Sequence, residues 1–274
     1  MRNSVLRVLT ALVAAPLVVG LAYVGGWAFG AFVVGIALLG QWELYRLAEQ
    51  AGLSPQMGWG LVLGALIVVQ PLWPAAGGVA LGVGVGLLAL MPFLFRRTAL
   101  LGSLSVTFFG ALYPAALLGF LLRLRLARGP SVGDYEAFLL VLLVLLLVWA
   151  SDVFAYYVGK SIGRRPLAPT ISPKKTWEGA LGGLFAALVI GLTFKLTVGG
   201  FLPWEHLFAL IFIGGVLGPL GDLAESHLKR SVDADDSSSI LPGHGGLLDR
   251  FDAMAVAAPL VYGYLVFIAG LIGG

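Results

Sequence analysis

Apolar residues fill the chain in nine long runs separated by short polar stretches, at approximately 7–24, 27–42, 58–73, 76–95, 102–122, 137–158, 179–198, 204–221 and 252–272. Several approach the ~20 residues that an α-helix needs to cross a hydrocarbon core. The second and third are shorter and would tilt or lie partly at the membrane interface. The first follows Arg2 and Arg7, as a signal peptide would. No clear small-residue cleavage site follows it, and another apolar run starts at once, so it reads as a retained helix. The pattern predicts an all-α, polytopic integral membrane protein of about nine transmembrane helices. It would form one membrane unit, with N-terminal helices in 1–135 and C-terminal helices and their loops in 136–274.

Composition strengthens this reading. Of 274 residues, 59% are hydrophobic and only 11% charged, about half the charged share of a soluble domain. A water-soluble fold of this size would lack the polar residues to cover its surface. The absence of cysteine removes disulfides, thiolate metal ligands and a cysteine nucleophile together. With only His206, His227 and His244 present, a three-histidine metal site is barely feasible. A net charge of +3 is too small to imply a nucleic-acid partner.

The placement of the basic residues says more than their sum. With nine spans and the N-terminus inside, the cytoplasmic side holds Arg2, Arg7, Arg46, Arg96, Arg97, Lys160, Arg164, Arg165, Lys174, Lys175, Lys229, Arg230 and Arg250, 13 of the 17 basic residues. The positive-inside rule prefers this orientation. Arg123, Arg125 and Arg128 would fall outside, with Lys195 near a helix end, and the 123–128 cluster is the departure from the rule. Gly214 and Gly218 have the spacing that lets transmembrane helices approach closely.

Two polar loops stand out, 160–178 and 222–252, and both fall on the cytoplasmic side. If the eighth helix continues past Gly221, helical spacing puts Asp222, Ser226 and Lys229 on one face. Gly218 and Pro219 should distort the helix just before them, and a distorted helix end beside an acid is a common ion site in membrane proteins. Asp222, at the membrane boundary, calls for a cation: Lys229, Arg230 or a metal. Asp249 and Asp252 open the ninth helix, where aspartate also serves as a plain cap. Between the acids lies Pro242-Gly243-His244-Gly245-Gly246. Such a glycine run lets backbone N–H groups approach a phosphate, and the helix start adds a positive dipole end.

In the first loop, Ser172-Pro-Lys174-Lys175-Thr176-Trp177-Glu178-Gly179 puts two lysines before a helix start. They read either as a positive-inside flank or as a grip on a triphosphate. Asp152, Tyr156 and Gly159 share a face of the sixth helix, and an acid inside the bilayer is a functional candidate beside the plainer role of bonding helix to helix. Acids can hold Mg²⁺ through oxygen ligands, and lysines and arginines can hold phosphates. Phosphoryl and nucleotidyl transfer need little else. Neither a nucleophile elbow nor a Walker-type loop is present.

These residues resemble the phosphatidate cytidylyltransferases, also called CDP-diacylglycerol synthases. That family's C-terminal pattern is matched by Ser226, Lys229-Arg230, Asp236, Pro242 to Gly246 and Asp249-Arg250-Phe251-Asp252, and its cytoplasmic loop by 172–179. The match is dense over 152–252, whereas the N-terminal half resembles the family only in hydropathy. Asp235 stands where the family pattern has lysine, making the 233–236 stretch unusually acidic. The resemblance implies that CTP and phosphatidic acid give CDP-diacylglycerol and pyrophosphate with Mg²⁺. It implies Asp222 and Asp249 as metal ligands, and Asp222, Asp249, Lys229 and His244 as the catalytic group. His244 would either donate to phosphate or shape the glycine loop. Ser172, Lys174, Lys175, Thr176, Ser226, Arg230, Gly243, Gly245, Gly246 and Arg250 would bind substrate. Asp152, Asp236 and Asp252 are further candidates, and a second cation and a homodimer are left open. The membrane would be a bacterial inner membrane.

Three competing functions remain in view. A CTP-dependent lipid kinase would transfer the γ-phosphoryl group instead. A cation-coupled transporter would use Asp152 and Asp222 as an ion path, but the acids cluster with glycines and basic residues on one side only. A CDP-alcohol phosphotransferase would carry a dense aspartate array within helices, which is missing here.

Overall fold

A computed structural model describes residues 2–94, 100–234, 237–238 and 245–273. Asp236, Gly243 and His244, and the departure at Asp235, lie outside the described residues. Every apolar run of the sequence folds as a helix: α1 (Arg2–Val24), α2 (Gly26–Gln50), α3 (Met57–Val69), α4 (Pro74–Leu94), α5 (Leu100–Leu126), α6 (Asp134–Ile162), α7 (Trp177–Thr197), α8 (Trp204–Arg230) and α9 (Leu248–Ile268). Six of these are long and apolar enough to cross a membrane: α2, α5, α6, α7, α8 and α9. α1, α3 and α4 contribute shorter apolar stretches. The fold is an all-α polytopic membrane architecture. One feature escaped the hydropathy pattern. β1 (Pro166–Ala168) and β2 (Ser172–Thr176) form a small antiparallel hairpin between α6 and α7.

Three helices change pitch part-way. α5 carries a π-helical stretch at Ala111–Ala116, α8 one at Ile213–Leu217, and α9 ends in one at Tyr264–Ile268. Each has a proline inside it or nearby: Pro114, Pro219 and Pro259. Proline removes an N–H and crowds the carbonyl four residues back, and a local widening of the helix relieves both. The distortion expected before Asp222 is therefore present, with its centre at 213–217.

The chain groups into two compact units. The first is Met1–Arg123 with Val232–Phe251, and the second is Leu124–Ser231 with Asp252–Gly274. The described residues Ser237, Ser238 and Leu247–Phe251 fall with the N-terminal helices, for a reason given by Glu43 below.

In lipid, helices gain little from hiding apolar surface and associate through close packing. In the second unit α6 and α7 do so backbone to backbone. A Cβ on Gly183 would stand 2.7 Å from the Ser151 carbonyl oxygen, and one on Gly179 would stand 2.6 Å from that of Ala155. Gly214 lies against Leu147, where an added Cβ would meet the leucine Cβ at 2.7 Å, and Gly218 faces Val148. The spacing of these two glycines thus serves packing of α8 on α6. The outward face keeps large apolar side chains exposed, including Leu181, Phe185, Phe212 and Phe267, as a lipid-facing surface requires.

The basic cluster at 123–128 finds structural partners. In the second unit Arg125 grips Asp134 through two bonds of 2.9 and 3.0 Å, and Arg128 reaches the same carboxylate at 2.6 Å. In the first unit Arg123 donates to Gln70 at 2.8 Å. These arginines join and cap helices, which explains their departure from the charge rule.

Candidate functional site

In the second unit the hairpin and the start of α7 present the lysines. Thr176 caps α7, its hydroxyl accepting the Gly179 N–H at 3.1 Å. Glu178 accepts the N–H groups of Arg164 and Arg165 at 3.0 and 3.3 Å, pinning the strand that leads in. Lys174 points to the outside and Lys175 is half-buried. Lys175 Nζ meets Asp222 Oδ2 at 2.5 Å. The cation that Asp222 calls for is therefore supplied within the chain by Lys175, rather than by Lys229 or Arg230.

The face of α8 expected from helical spacing is present. Ser226 Oγ lies 3.4 Å from Asp222 Oδ1, one turn on. Lys229 is buried and pairs with Glu225 at 3.3 Å, while Arg230 is exposed. Glu225 was missed by sequence reasoning, although its four-residue offset from Lys229 is the usual spacing of a helical ion pair. Asp252 is 6% exposed, and its electrostatic neighbours are Asp222, Asp152 and Lys175. Three of the predicted acids, from α6, α8 and α9, and one predicted lysine, from β2, thus share a neighbourhood. Tight packing sets this up: a Cβ on Gly221 would stand 2.4 Å from the Asp252 carbonyl oxygen.

The first unit holds a different cluster around the start of α9. Asp249 Oδ2 accepts the Gly246 N–H at 2.9 Å, the Ser237 N–H at 3.1 Å and the Ser237 hydroxyl at 3.0 Å. Gly245 adopts φ +79°, a left-handed conformation that glycine takes without strain. The Gly246 amide, a candidate phosphate donor, is engaged by Asp249 in this structure. Arg250 is exposed beside it.

The same cluster contains a residue the sequence reading passed over. Glu43 of α2 is fully buried. Its Oε1 accepts the Ser238 hydroxyl at 2.5 Å and the Leu247 N–H at 2.9 Å. Its Oε2 accepts the Ser237 hydroxyl at 3.0 Å and the Leu248 N–H at 2.7 Å. These bonds tie Ser237, Ser238, Leu247 and Leu248 to α2 within the first unit. The signal was present: Gln41 and Glu43 are polar residues in an apolar helix. The second apolar run ends at 42, however, which placed Glu43 in a loop; the helix continues to Gln50.

The sequence model of the cytidylyltransferase family matches residues 5–268 of the chain. Among curated proteins, a phosphatidate cytidylyltransferase of Pseudomonas aeruginosa is 35% identical over 270 residues, covering 96% of this chain and 97% of its own. Proteins of the same name from Brucella abortus and Synechocystis are 34% and 32% identical, each over 96% of this chain and over 93% and 96% of their own lengths.

Proposed function

The chain belongs to the cytidylyltransferase family, and from that premise we propose that it transfers CMP from CTP to phosphatidic acid, giving CDP-diacylglycerol and pyrophosphate. The observation that carries the reading is the Lys175–Asp222 pair at 2.5 Å, with Asp152 and Asp252 acting on the same neighbourhood. An ammonium group and several carboxylates beside one another support the reading, since a nucleotide's phosphates and their counter-ion call for both.

The donor set suits Mg²⁺. Among the described residues no three His, Cys, Asp or Glu side chains form a ready cage. Mg²⁺ is ordinarily held by one or two carboxylates, with water and substrate phosphates completing its shell. Asp222 and, by the resemblance, Asp249 would hold it. When bound it would neutralise charge on the transferring phosphate.

The protein's own part is binding and orientation. Lys175 exchanges its carboxylate partner for a phosphate oxygen, and exposed Lys174 adds a second positive charge. The Thr176 cap and the Glu178 bonds hold both lysines at the start of α7. Phosphatidic acid is already an anion at neutral pH. One of its phosphate oxygens forms the new bond to the α-phosphorus of CTP. The bond from that phosphorus to the bridging oxygen breaks, and its electron pair leaves with pyrophosphate. No protein nucleophile or strong general base is needed. The two polar loops, with eight basic residues in 160–178 and 222–250, face the cytoplasm of a bacterial inner membrane.

The test is purified protein in lipid with phosphatidic acid, Mg²⁺ and labelled CTP. Label from the α-position should enter the lipid as CDP-diacylglycerol. Entry of γ-label instead would identify a lipid kinase, and no turnover of CTP would overturn the reading.

A further inference from the structure

We propose that Glu43 is a positioning residue for the reaction: it holds Ser237, Ser238 and the Leu247–Leu248 helix start so that Asp249 stands in its working orientation. The inference rests on the function proposed above. Its starting point is a cost. A carboxylate fully buried in an apolar helix is expensive, and a Gln or Leu would pack at that site more cheaply. The four donors that satisfy it come from one segment, two hydroxyls and two backbone N–H groups, at 2.5 to 3.0 Å. A carboxylate has about four lone-pair sites, so this loop fills the acceptor capacity of Glu43.

Two of the donors are the N–H groups of Leu247 and Leu248, at the start of α9. A helix leaves its first N–H groups without partners, and here a negative charge also meets the positive end of the helix dipole. Glu43 therefore caps α9 from 205 residues away. The remaining donors are Ser238 and Ser237, and Ser237 carries the effect onward. Its hydroxyl is 3.0 Å from Glu43 Oε2 and 3.0 Å from Asp249 Oδ2. One hydrogen is thus shared between two carboxylates. Asp249 Oδ2 also takes the N–H groups of Ser237 and Gly246. With that oxygen held by three donors, the plane of the Asp249 carboxylate is set, and the placement of its second oxygen follows. Glu43 acts through Ser237 and the helix start and touches no substrate itself. It gives α2, far in sequence from the polar loops, a part in the chemistry.

The test uses the full chain in lipid and two readouts. The first is hydrogen exchange of the 246–249 amides in protein without substrate. The second is the Mg²⁺ concentration for half-maximal CDP-diacylglycerol formation. Glu43→Gln keeps the shape but turns an NH₂ toward two donors. We expect at least tenfold faster exchange at 246–249 and at least a fivefold rise in half-saturating Mg²⁺. Ser237→Ala should move both in the same direction, and it keeps the proposal testable if Glu43→Gln folds poorly. The double variant should be no worse than Glu43→Gln alone, because both act along one path. If either variant merely lowers the yield of folded protein, and what folds keeps wild-type exchange and Mg²⁺ dependence, Glu43 is a packing residue and the proposal is overturned. If the wild type makes no CDP-diacylglycerol, the function reading fails, and wild-type exchange in both variants would then overturn the positioning role separately.

Discussion

Replacing Gly246 with alanine should disable the enzyme without unfolding it. The added Cβ would stand 1.7 Å from Ser237 Oγ, 3.0 Å from Ser237 Cβ and 2.8 Å from Glu43 Oε2. Non-bonded heavy atoms settle at roughly 3.5–4.0 Å, so the serine oxygen must retreat by about 2 Å. Turning its χ1 moves the hydroxyl but leaves its Cβ too close, so the backbone at 237 must shift as well. The bonds at stake are those from Ser237 to Glu43 and to Asp249. Hydrogen bonds to charged groups contribute about 1.5–3 kcal/mol each. Water and relaxation will recover part of this, leaving about 3 kcal/mol against the working arrangement of the loop. A penalty of that size slows turnover by about 10²-fold. The assay is the initial rate of α-labelled CTP entering lipid, normalised to monodisperse protein. Ser237→Gly removes the obstructing atoms and loses the hydroxyl bonds by itself. The double variant should therefore be no slower than Ser237→Gly. Gly246→Ala within about twofold of wild type, or costs that simply add in the double variant, would refute the steric argument.

Lys175→Ala should raise the KM for CTP at least tenfold, about 1.4 kcal/mol of lost binding. It should change the thermal midpoint little, since a partly exposed ion pair contributes about 0–1 kcal/mol; the two effects are read from kinetics and from a melting curve. Asp134→Asn should destabilise the protein by about 2 kcal/mol. That figure discounts the ~3–5 kcal/mol of a fully buried pair, because Asp134 is 67% exposed while Arg125 is 3% exposed. Arg125→Met, which leaves no buried charge, should cost less in the same unfolding experiment, and the reverse order would show that the arginine's packing outweighs its charge. For topology, Ser172→Cys and Ser231→Cys should both label from the cytoplasmic side in a chain that has no other cysteine. Labelling from opposite sides would break the assignment of both loops to one face.

Hydropathy carried the fold because lipid imposes a simple rule: a spanning backbone must satisfy its own hydrogen bonds, so a long apolar run is a helix. The hairpin at 166–176 lay outside that rule. It is too short for a spanning helix, mixes apolar Leu167 and Ile171 with polar residues, and is only partly exposed, and its pairing is fixed by local contacts such as the Trp177 N–H donating to the Arg165 carbonyl at 3.0 Å. In the candidate site, Asp222 was legible as an acid needing a cation, because charge at a membrane boundary is costly. Its partner was not, since Lys175 and Asp222 are 47 positions apart and spacing along one helix favoured Lys229. Lys229 had instead a partner one turn away in Glu225. Glu43 escaped for the opposite reason. Among the described residues, its side-chain bonds go to residues about two hundred positions later.

That separation also orders events in time. Ribosomes add roughly 5–20 residues per second, so Glu43 enters the membrane roughly 10–40 s before Leu248 exists, by that rate and the 205 residues between them. During the wait its carboxylate has none of the four donors that later surround it. An acid stranded in lipid is costly until it finds partners. Synthesis of α9 removes the defect and orients Asp249 in the same act, so that a chain truncated before α9 would be inactive and would still display the unanswered charge. Arrival of α9, relief of the buried charge and placement of the active carboxylate become a single event in biogenesis.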